Sequence, residues 1–216
     1  SASLNGSGTA DDPYIIASGA DLNYLANMGT AYCSKYYKGM ADIDMGNYEM
    51  PPIYRLTGTF DGNGHKITNL KIAGSGVYYG LFKEAGNSGT AAVIKNLTLE
   101  NAVINDTHTS DSGKLGLLVS YTSDKLTIEG CYVTGSITTT SKPYMNVGGL
   151  VGQVKGADVT ISRCYAGVTF IGGDSNSTFG GLVGSCEGGT IENCYAIPDM
   201  SGVTAGSRGG ITSSTR

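Results

Sequence analysis

The sequence lacks tryptophan, contains few charged residues, and does not cluster its basic residues. Lys and Arg number 14 against 18 Asp and Glu, so the formal net charge is −4. A nucleic-acid-binding surface concentrates Lys and Arg on one face, so the sequence predicts no nucleic-acid partner. No apolar run approaches the length of a transmembrane helix, which predicts no membrane span in this chain.

The sequence also lacks the motifs of common enzymes. It contains no G-x-S-x-G, S-x-x-K or H-E-x-x-H segment and no phosphate-binding G-x-x-x-x-G-K. Its repeated glycines do not have the G-x-G-x-x-G spacing of a dinucleotide-binding loop. No Cys-x-x-Cys pair or Cys/His cluster indicates a metal site. We therefore predict no catalytic residue, no cofactor and no metal ligand.

Both histidines lie in segments rich in turn residues. His65 follows Asp61 and Asn63, whose oxygens are potential ligands of a cation. Asp-Gly and Asn-Gly are strong turn formers, however, and we favour a plain turn there. His108 lies in the polar segment 105–113, which we interpret as a solvated loop between coils.

The number of cysteines is five, an odd number, which excludes complete disulfide pairing within the chain. Cys131, Cys164 and Cys194 occupy one position of a repeated segment, which favours packing of buried thiols over cross-linking. Cys33 and Cys186 lie outside this repeat, and the sequence leaves a disulfide between any pair open.

A repeat is the main positive feature of the sequence. The segment VGGLVG at 147–152 returns as FGGLVG at 179–184. Weaker copies lie at 78–83, 115–120 and 208–211. A second segment, in which an apolar residue is followed after two residues by Cys-Tyr, comes after three of the copies, and the earliest copy has Leu97 and Thr98 instead. Two segments in fixed order, at intervals of roughly 30 to 37 residues, indicate a stack of coils.

The repeated segments have the composition of strands joined by turns, and we interpret the 34 glycines as turn residues. The apolar spacing before each Cys-Tyr requires a bend in which one residue enters the left-handed region. Asn96, Gly130 and Asn193 suit that conformation, whereas Arg163 does not. The predicted fold is an all-β, right-handed parallel β-helix (β-solenoid) with a short N-terminal helical cap across 19–27.

Stacked coils place equivalent residues above one another about 4.8 Å apart. Two interior columns are predicted. The first contains Leu81, Leu118, Leu150, Leu182 and Ile211, and the second contains Leu97, Cys131, Cys164 and Cys194. The outward column contains Thr98, Tyr132, Tyr165 and Tyr195. We favour the interpretation that the tyrosines brace the sheet, and the alternative is an exposed aromatic surface that binds a glycan or another protein.

The Gly-Gly-Leu-Val-Gly copies resemble the GLUG motif of bacterial surface proteins. Four earlier segments resemble the leader that precedes such repeats, namely Gly6–Tyr14, Asp21–Ala26, Ala41–Asp44 and Gly58–His65. The copies around Gly80 and Leu117 depart from the motif. The resemblance implies a secreted or cell-surface β-solenoid, of the kind found in adhesins and in non-catalytic parts of immunoglobulin A proteases. It carries no agreed catalytic residues.

These observations predict one continuous domain, with an N-terminal cap and irregular first coils at 1–75 and repeat coils at 76–216, the last of them incomplete. The predicted function is a non-catalytic, bacterial, extracellular or cell-surface β-solenoid that acts as an adhesin, a stalk or a ligand-binding surface. Its expected partners are a glycan or a host or cell-surface protein, and the chain is expected to continue into further sequence or to meet a capping partner. The alternatives are a non-catalytic domain of a larger secreted protease and a polysaccharide-active β-helix enzyme.

Overall fold

The computed structural model describes residues 3–213. Their strands stack in parallel into a β-solenoid, which confirms the predicted fold class. The first three layers contain β1 (Tyr14–Ile16) and α1 (Gly19–Ala26), then β2 (Tyr36–Gly39), β3 (Ile43–Asp44) and β4 (Glu49–Met50), then β5 (Thr59–Asp61), β6 (Lys66–Thr68), β7 (Lys71–Ile72), β8 (Gly74–Ser75), β9 (Tyr78–Tyr79) and β10 (Phe82–Glu84).

The next four layers repeat one pattern of strands. They contain β11 (Ala92–Lys95), β12 (Thr98–Asp106), β13 (Lys114–Gly116) and β14 (Val119–Thr122), then β15 (Leu126–Glu129), β16 (Tyr132–Thr139), β17 (Asn146–Gly148) and β18 (Val151–Val154), then β19 (Val159–Ser162), β20 (Tyr165–Gly172), β21 (Thr178–Gly180) and β22 (Val183–Cys186), and finally β23 (Thr190–Glu192), β24 (Tyr195–Ala196), β25 (Asp199–Val203) and β26 (Ser207–Gly209).

Four sheets run along the stack. The first sheet contains β1, β2, β5, β11, β15, β19 and β23, and the second contains β3, β6, β12, β16, β20 and β24, with β4, β7 and β25 beside them. The third sheet contains β8, β9, β13, β17, β21 and β26, and the fourth contains β10, β14, β18 and β22. Among the described strands, β8 and β9 form the one antiparallel pair.

Helix α1 begins where the sequence predicts it. The hydroxyl of Ser18 accepts a hydrogen bond from the Asp21 N–H at 3.1 Å, and Asp21 Oδ2 accepts from the Ala17 N–H at 2.9 Å. These bonds satisfy backbone donors at the start of the helix. Leu22 and Leu25 are buried, so the helix adds apolar side chains to the N-terminal end of the core.

One residue in the left-handed region makes the corner between the first and second sheets in four consecutive layers. Asn96, Gly130, Arg163 and Asn193 have φ angles of 53°, 61°, 50° and 52°. The predicted bend is therefore confirmed at all four positions, including Arg163, whose Cβ makes this conformation unfavourable. The layer above helps to hold it, because the Arg163 N–H donates to the Glu192 carbonyl at 3.2 Å.

The interpretation of the glycines as turn residues holds for those with a positive φ, such as Gly130, and is wrong for two repeat glycines that lie within strands. Gly148 and Gly184 lie outside the positive-φ region. A Cβ on Gly148 would lie 2.0 Å from the Val151 carbonyl oxygen and 2.5 Å from the Gly184 nitrogen, and one on Gly184 would lie 2.5 Å from the Val147 nitrogen. The third and fourth sheets thus approach each other backbone to backbone, and glycine is needed because no side chain fits between them.

The interior of the stack is mostly apolar. Fully or almost fully buried positions of the two predicted columns are Leu81, Leu118, Leu150, Leu182, Leu97, Cys131 and Cys164. Ile211 and Cys194, which the sequence places in the same columns, are only partly buried. Both belong to the last described layer, which no further described layer covers. The last residues of the predicted incomplete coil, 214–216, lie outside the described residues.

Candidate functional site

The predicted outward column lies at the start of the second-sheet strands. Thr98 pairs in register with Tyr132, Tyr132 with Tyr165, and Tyr165 with Tyr195. Tyr132 is 48% exposed and Tyr195 60% exposed, while Thr98 and Tyr165 are partly buried. The column follows the left-handed corner by two residues in each layer, so it borders the edge between the first two sheets.

The column is not uniform along the stack. The rings of Tyr165 and Tyr195 lie 4.7 Å apart between centroids, and the Tyr165 hydroxyl lies over Gly167, where an added Cβ would be 2.3 Å from it. These contacts fit the bracing interpretation at the C-terminal end. Among the described residues, no aromatic pair involves Tyr132, which is 48% exposed.

A groove borders Tyr132 and runs along the corner. It encloses about 350 Å³ and is lined by Asn63, Gly64, Asn96, Thr98, Gly130, Tyr132 and Arg163. These residues come from four successive layers, so the groove extends over about 14 Å, given a spacing of about 4.8 Å between layers. A linear ligand lying parallel to the stack would contact several layers at once.

The groove combines an aromatic face, amides and one cation. Arg163 is exposed, and its Nη2 lies 3.3 Å from Glu129 Oε2. Gly130 leaves the middle of the groove without a side chain, and an added Cβ there would lie 2.8 Å from Asn96 Oδ1. The side-chain amide of Asn63 donates to the Gly39 carbonyl at 3.1 Å, which fixes that end of the groove. This set of groups can stack on, and form hydrogen bonds with, a polar ligand.

Part of the groove was predictable from the sequence. Thr98 and Tyr132 were predicted as a candidate surface, and the structure brings them into one groove, whereas Tyr165 and Tyr195 lie beyond it. The corner residues Asn96, Gly130 and Arg163 were noted for their conformation and not as groove lining. Each of them directly precedes the Leu or Cys of the second repeated segment. This recurring position, two residues before the outward column, could have indicated that they lie beside it.

The two histidine segments are held by local contacts. His65 Nδ1 lies 3.1 Å from Asp42 Oδ1, and Asp61 Oδ1 accepts from the Asn63 N–H at 2.8 Å, which makes a side-chain-capped turn. Hydrogen bonds from the Lys66 N–H and from His65 lower the pKa of Asp42. Within residues 3–213, no group of three His, Cys, Asp or Glu side chains is arranged to hold a metal ion.

The segment around His108 is a largely exposed loop, as the sequence predicts, and a buried ion pair anchors its first end. Lys142 Nζ lies 2.7 Å from Asp106 Oδ2, and both side chains are almost completely buried. Thr139 donates to the same carboxylate at 2.8 Å, and Lys142 also donates to the His108 carbonyl. Burial and the charge of Asp106 raise the pKa of Tyr79 to about 12. The sequence did not predict this network.

All five cysteines are free thiols in the structure. The hydrogen bond with Cys164, together with burial, raises the pKa of Cys131. Cys194 lines a depression of about 510 Å³ at the C-terminal end of the stack, together with Ile191 and Ile211. That end therefore presents partly exposed apolar side chains.

No protein-family model matches the chain. The chain is 33% identical over 164 residues to halomucin of Haloquadratum walsbyi, a match that covers 69% of this chain and 2% of halomucin. It is 34% identical over 106 residues to a candidate Gly-rich membrane protein of Evansella cellulosilytica, covering 44% of this chain and 12% of that protein.

Among solved structures, the fold is similar to that of a candidate immunoglobulin A1 protease from Bacteroides ovatus. The TM-score is 0.54, and the match covers 96% of this chain and 84% of the other at 18% identity. At this identity the likeness shows the fold alone. The chain spans only a small part of the length of the two sequence relatives. Among the described residues, no helix is long and apolar enough to cross a membrane.

Proposed function

We propose that this chain is a non-catalytic, ligand-binding β-solenoid segment of a larger extracellular or cell-surface protein. The observation that carries the proposal is the corner groove, in which Thr98, Tyr132 and Arg163 from successive layers face solvent together. A regular stack provides a rigid frame for such a surface, because each layer is fixed by its neighbours. The ligand is a glycan or an extended segment of a cell-surface protein.

Three further features support this proposal. The chain matches only 2% and 12% of the two sequence relatives, which fits a segment of a long protein. One of them is described as a membrane protein, which fits a surface location. The resemblance of the repeats to the bacterial GLUG motif points in the same direction, and we propose that the repeats belong to that group.

The groove is tested by one pair of variants on a glycan and cell-surface-protein array. Tyr132→Ser removes the aromatic face of the groove, and Tyr36→Ser removes a tyrosine of similar exposure (40%) in the first sheet. We expect wild type and Tyr36→Ser to capture the same ligand and Tyr132→Ser to lose it, since outward residues contribute little to the core. Equal binding by all three proteins would show that the groove is not the site.

A second candidate is a non-catalytic segment of a larger secreted protease. The description of the Bacteroides ovatus structure as a candidate immunoglobulin A1 protease favours it. Cleavage of immunoglobulin A1 by the full-length parent protein, with and without this segment, distinguishes the two. Release of reducing ends or unsaturated products from acidic and neutral glycans by the purified chain would instead indicate a polysaccharide-active enzyme.

A further inference from the structure

Basic and aromatic side chains alternate on the face where the third and fourth sheets meet. Lys83 Nζ lies 5.1 Å from the ring centroid of Tyr54 and 5.0 Å from that of Tyr78. Lys114 Nζ lies 5.3 Å from the centroid of Tyr78 and 5.5 Å from that of Tyr121. We call Tyr54, Lys83, Tyr78, Lys114 and Tyr121 the lysine–tyrosine ladder. Each ammonium group is within cation–π distance of two rings.

The lysines of the ladder form no salt bridge with a protein carboxylate within residues 3–213. Among the described residues, Lys83, Lys114 and the nearby Lys155 form no salt bridge, whereas Glu84 is engaged by Arg55 at 3.2 Å. Burial, followed by the charge of Lys155, lowers the pKa of Lys114. Burial, followed by the charge of Glu84 and with a contribution from Glu187, raises the pKa of Tyr121, but neither carboxylate forms a salt bridge with Lys83 or Lys114. Neighbouring like charges are unfavourable, and an anion between the two ammonium groups would relieve their repulsion.

A second observation at the same place also indicates a missing partner. Gln153 pairs in register with Tyr121 in the fourth sheet, and it is 6% exposed. Its Oε1 is buried and has no hydrogen-bond donor among the described residues. An unpaired buried acceptor is costly, and a hydroxyl group of a ligand would supply the donor.

We propose that the lysine–tyrosine ladder binds an acidic polysaccharide, whose carboxylate or sulfate groups pair with Lys83 and Lys114 and whose hydroxyl groups form hydrogen bonds beside Tyr121. This surface is separate from the corner groove. Polysaccharides of this class combine anionic groups with many hydroxyl donors, and the ladder needs both. Simple inorganic anions supply the negative charge but not the hydroxyl donors.

Single-stranded nucleic acid fits the ladder less well, although basic and aromatic residues are also its usual binding groups. Binding of that kind stacks bases on free ring faces, and here the faces of Tyr78 are approached by the ammonium groups of Lys83 and Lys114.

The proposal is tested by measuring binding of the purified chain to polygalacturonate, dextran sulfate, neutral dextran and a single-stranded oligonucleotide at low and physiological salt. The test variant is Lys83→Met with Lys114→Met, which keeps the apolar stems. The matched control is Lys38→Met with Lys71→Met, which removes the same charge from the first and second sheets. Thermal melting of each variant verifies that it is folded.

We expect wild type and control to bind an acidic polysaccharide, and the ladder variant to bind it at least tenfold more weakly. Neutral dextran should not bind. The proposal is overturned if no acidic polysaccharide binds, if the control loses as much affinity as the ladder variant, or if the oligonucleotide binds more tightly than either polysaccharide. Tyr132→Ser should leave this binding unchanged, so failure of the groove and failure of the ladder give different results.

Discussion

Arg163 in one layer of the stack reaches back to Glu129 in the layer before it, with Nη2 and Oε2 3.3 Å apart. Arg163 is held at a φ of 50°, where the corresponding layers have asparagine or glycine. The ion pair is exposed and contributes little to the free energy of unfolding. We therefore expect the left-handed conformation of Arg163 to cost more than this pair recovers.

We predict that Arg163→Asn raises the free energy of unfolding by about 0.5 kcal/mol or more, because asparagine tolerates the left-handed region better. Chemical denaturation measures the change. The reverse substitution, Asn193→Arg at the same corner of the next layer, should lower stability by a similar amount. A destabilised Arg163→Asn protein would mean that the ion pair outweighs the backbone strain.

The first interior column gives a graded prediction. Leu150 is fully buried between layers, so Leu150→Ala should reduce the free energy of unfolding by about 2 to 5 kcal/mol through lost burial and a cavity. Ile211 occupies the equivalent place in the last described layer but is partly exposed, so Ile211→Ala should cost clearly less. Thermal melting compares the two, and equal losses would show that the last layer is as well packed as the middle of the stack.

The fold was predictable because stacking turns a repeat in sequence into a column in space. Leu118, Leu150 and Leu182 recur with the motif, and the apolar core requires that they coincide. The role of Gly148 was not predictable in the same way. A glycine at a tight turn and a glycine at a backbone contact look alike in sequence, and only the approach of the fourth sheet to the third distinguishes them.

The candidate sites were predictable only where they lie on one column. Thr98 and Tyr132 share a repeat position, so the sequence could place them together. The lysine–tyrosine ladder combines Tyr78 and Lys114 of the third sheet with Lys83 and Tyr121 of the fourth. No repeat position links residues from two sheets, and their proximity depends on the glycine contact that brings those sheets together.

The thiols should differ in reactivity according to layer. Cys131 and Cys164 are buried, so we expect them to resist alkylation in the folded protein. Cys194, Cys33 and Cys186 are partly exposed and should react first. Mass spectrometry after timed labelling resolves the order. Early modification of Cys131 would contradict the interior position of the second column, and full labelling of all five should follow unfolding.

The buried ion pair between Asp106 and Lys142 should be far more important for stability than an exposed pair of the same chemistry. Asp106→Asn leaves the Lys142 ammonium buried without its counter-charge, and such a loss costs about 3 to 5 kcal/mol. The control is Lys66→Met, which removes an exposed pair in which Lys66 Nζ and Glu100 Oε2 lie 3.3 Å apart. This substitution should reduce the free energy of unfolding by at most about 1 kcal/mol.

The double variant Asp106→Leu with Lys142→Met separates the two contributions. It removes both charges, so it should recover much of the stability that Asp106→Asn loses, although the Thr139 hydroxyl and the His108 carbonyl then lose their partners. Denaturation curves of the single and double variants measure the coupling. If Asp106→Asn unfolds at the same denaturant concentration as wild type, the pair is not buried in solution and does not anchor the loop around His108.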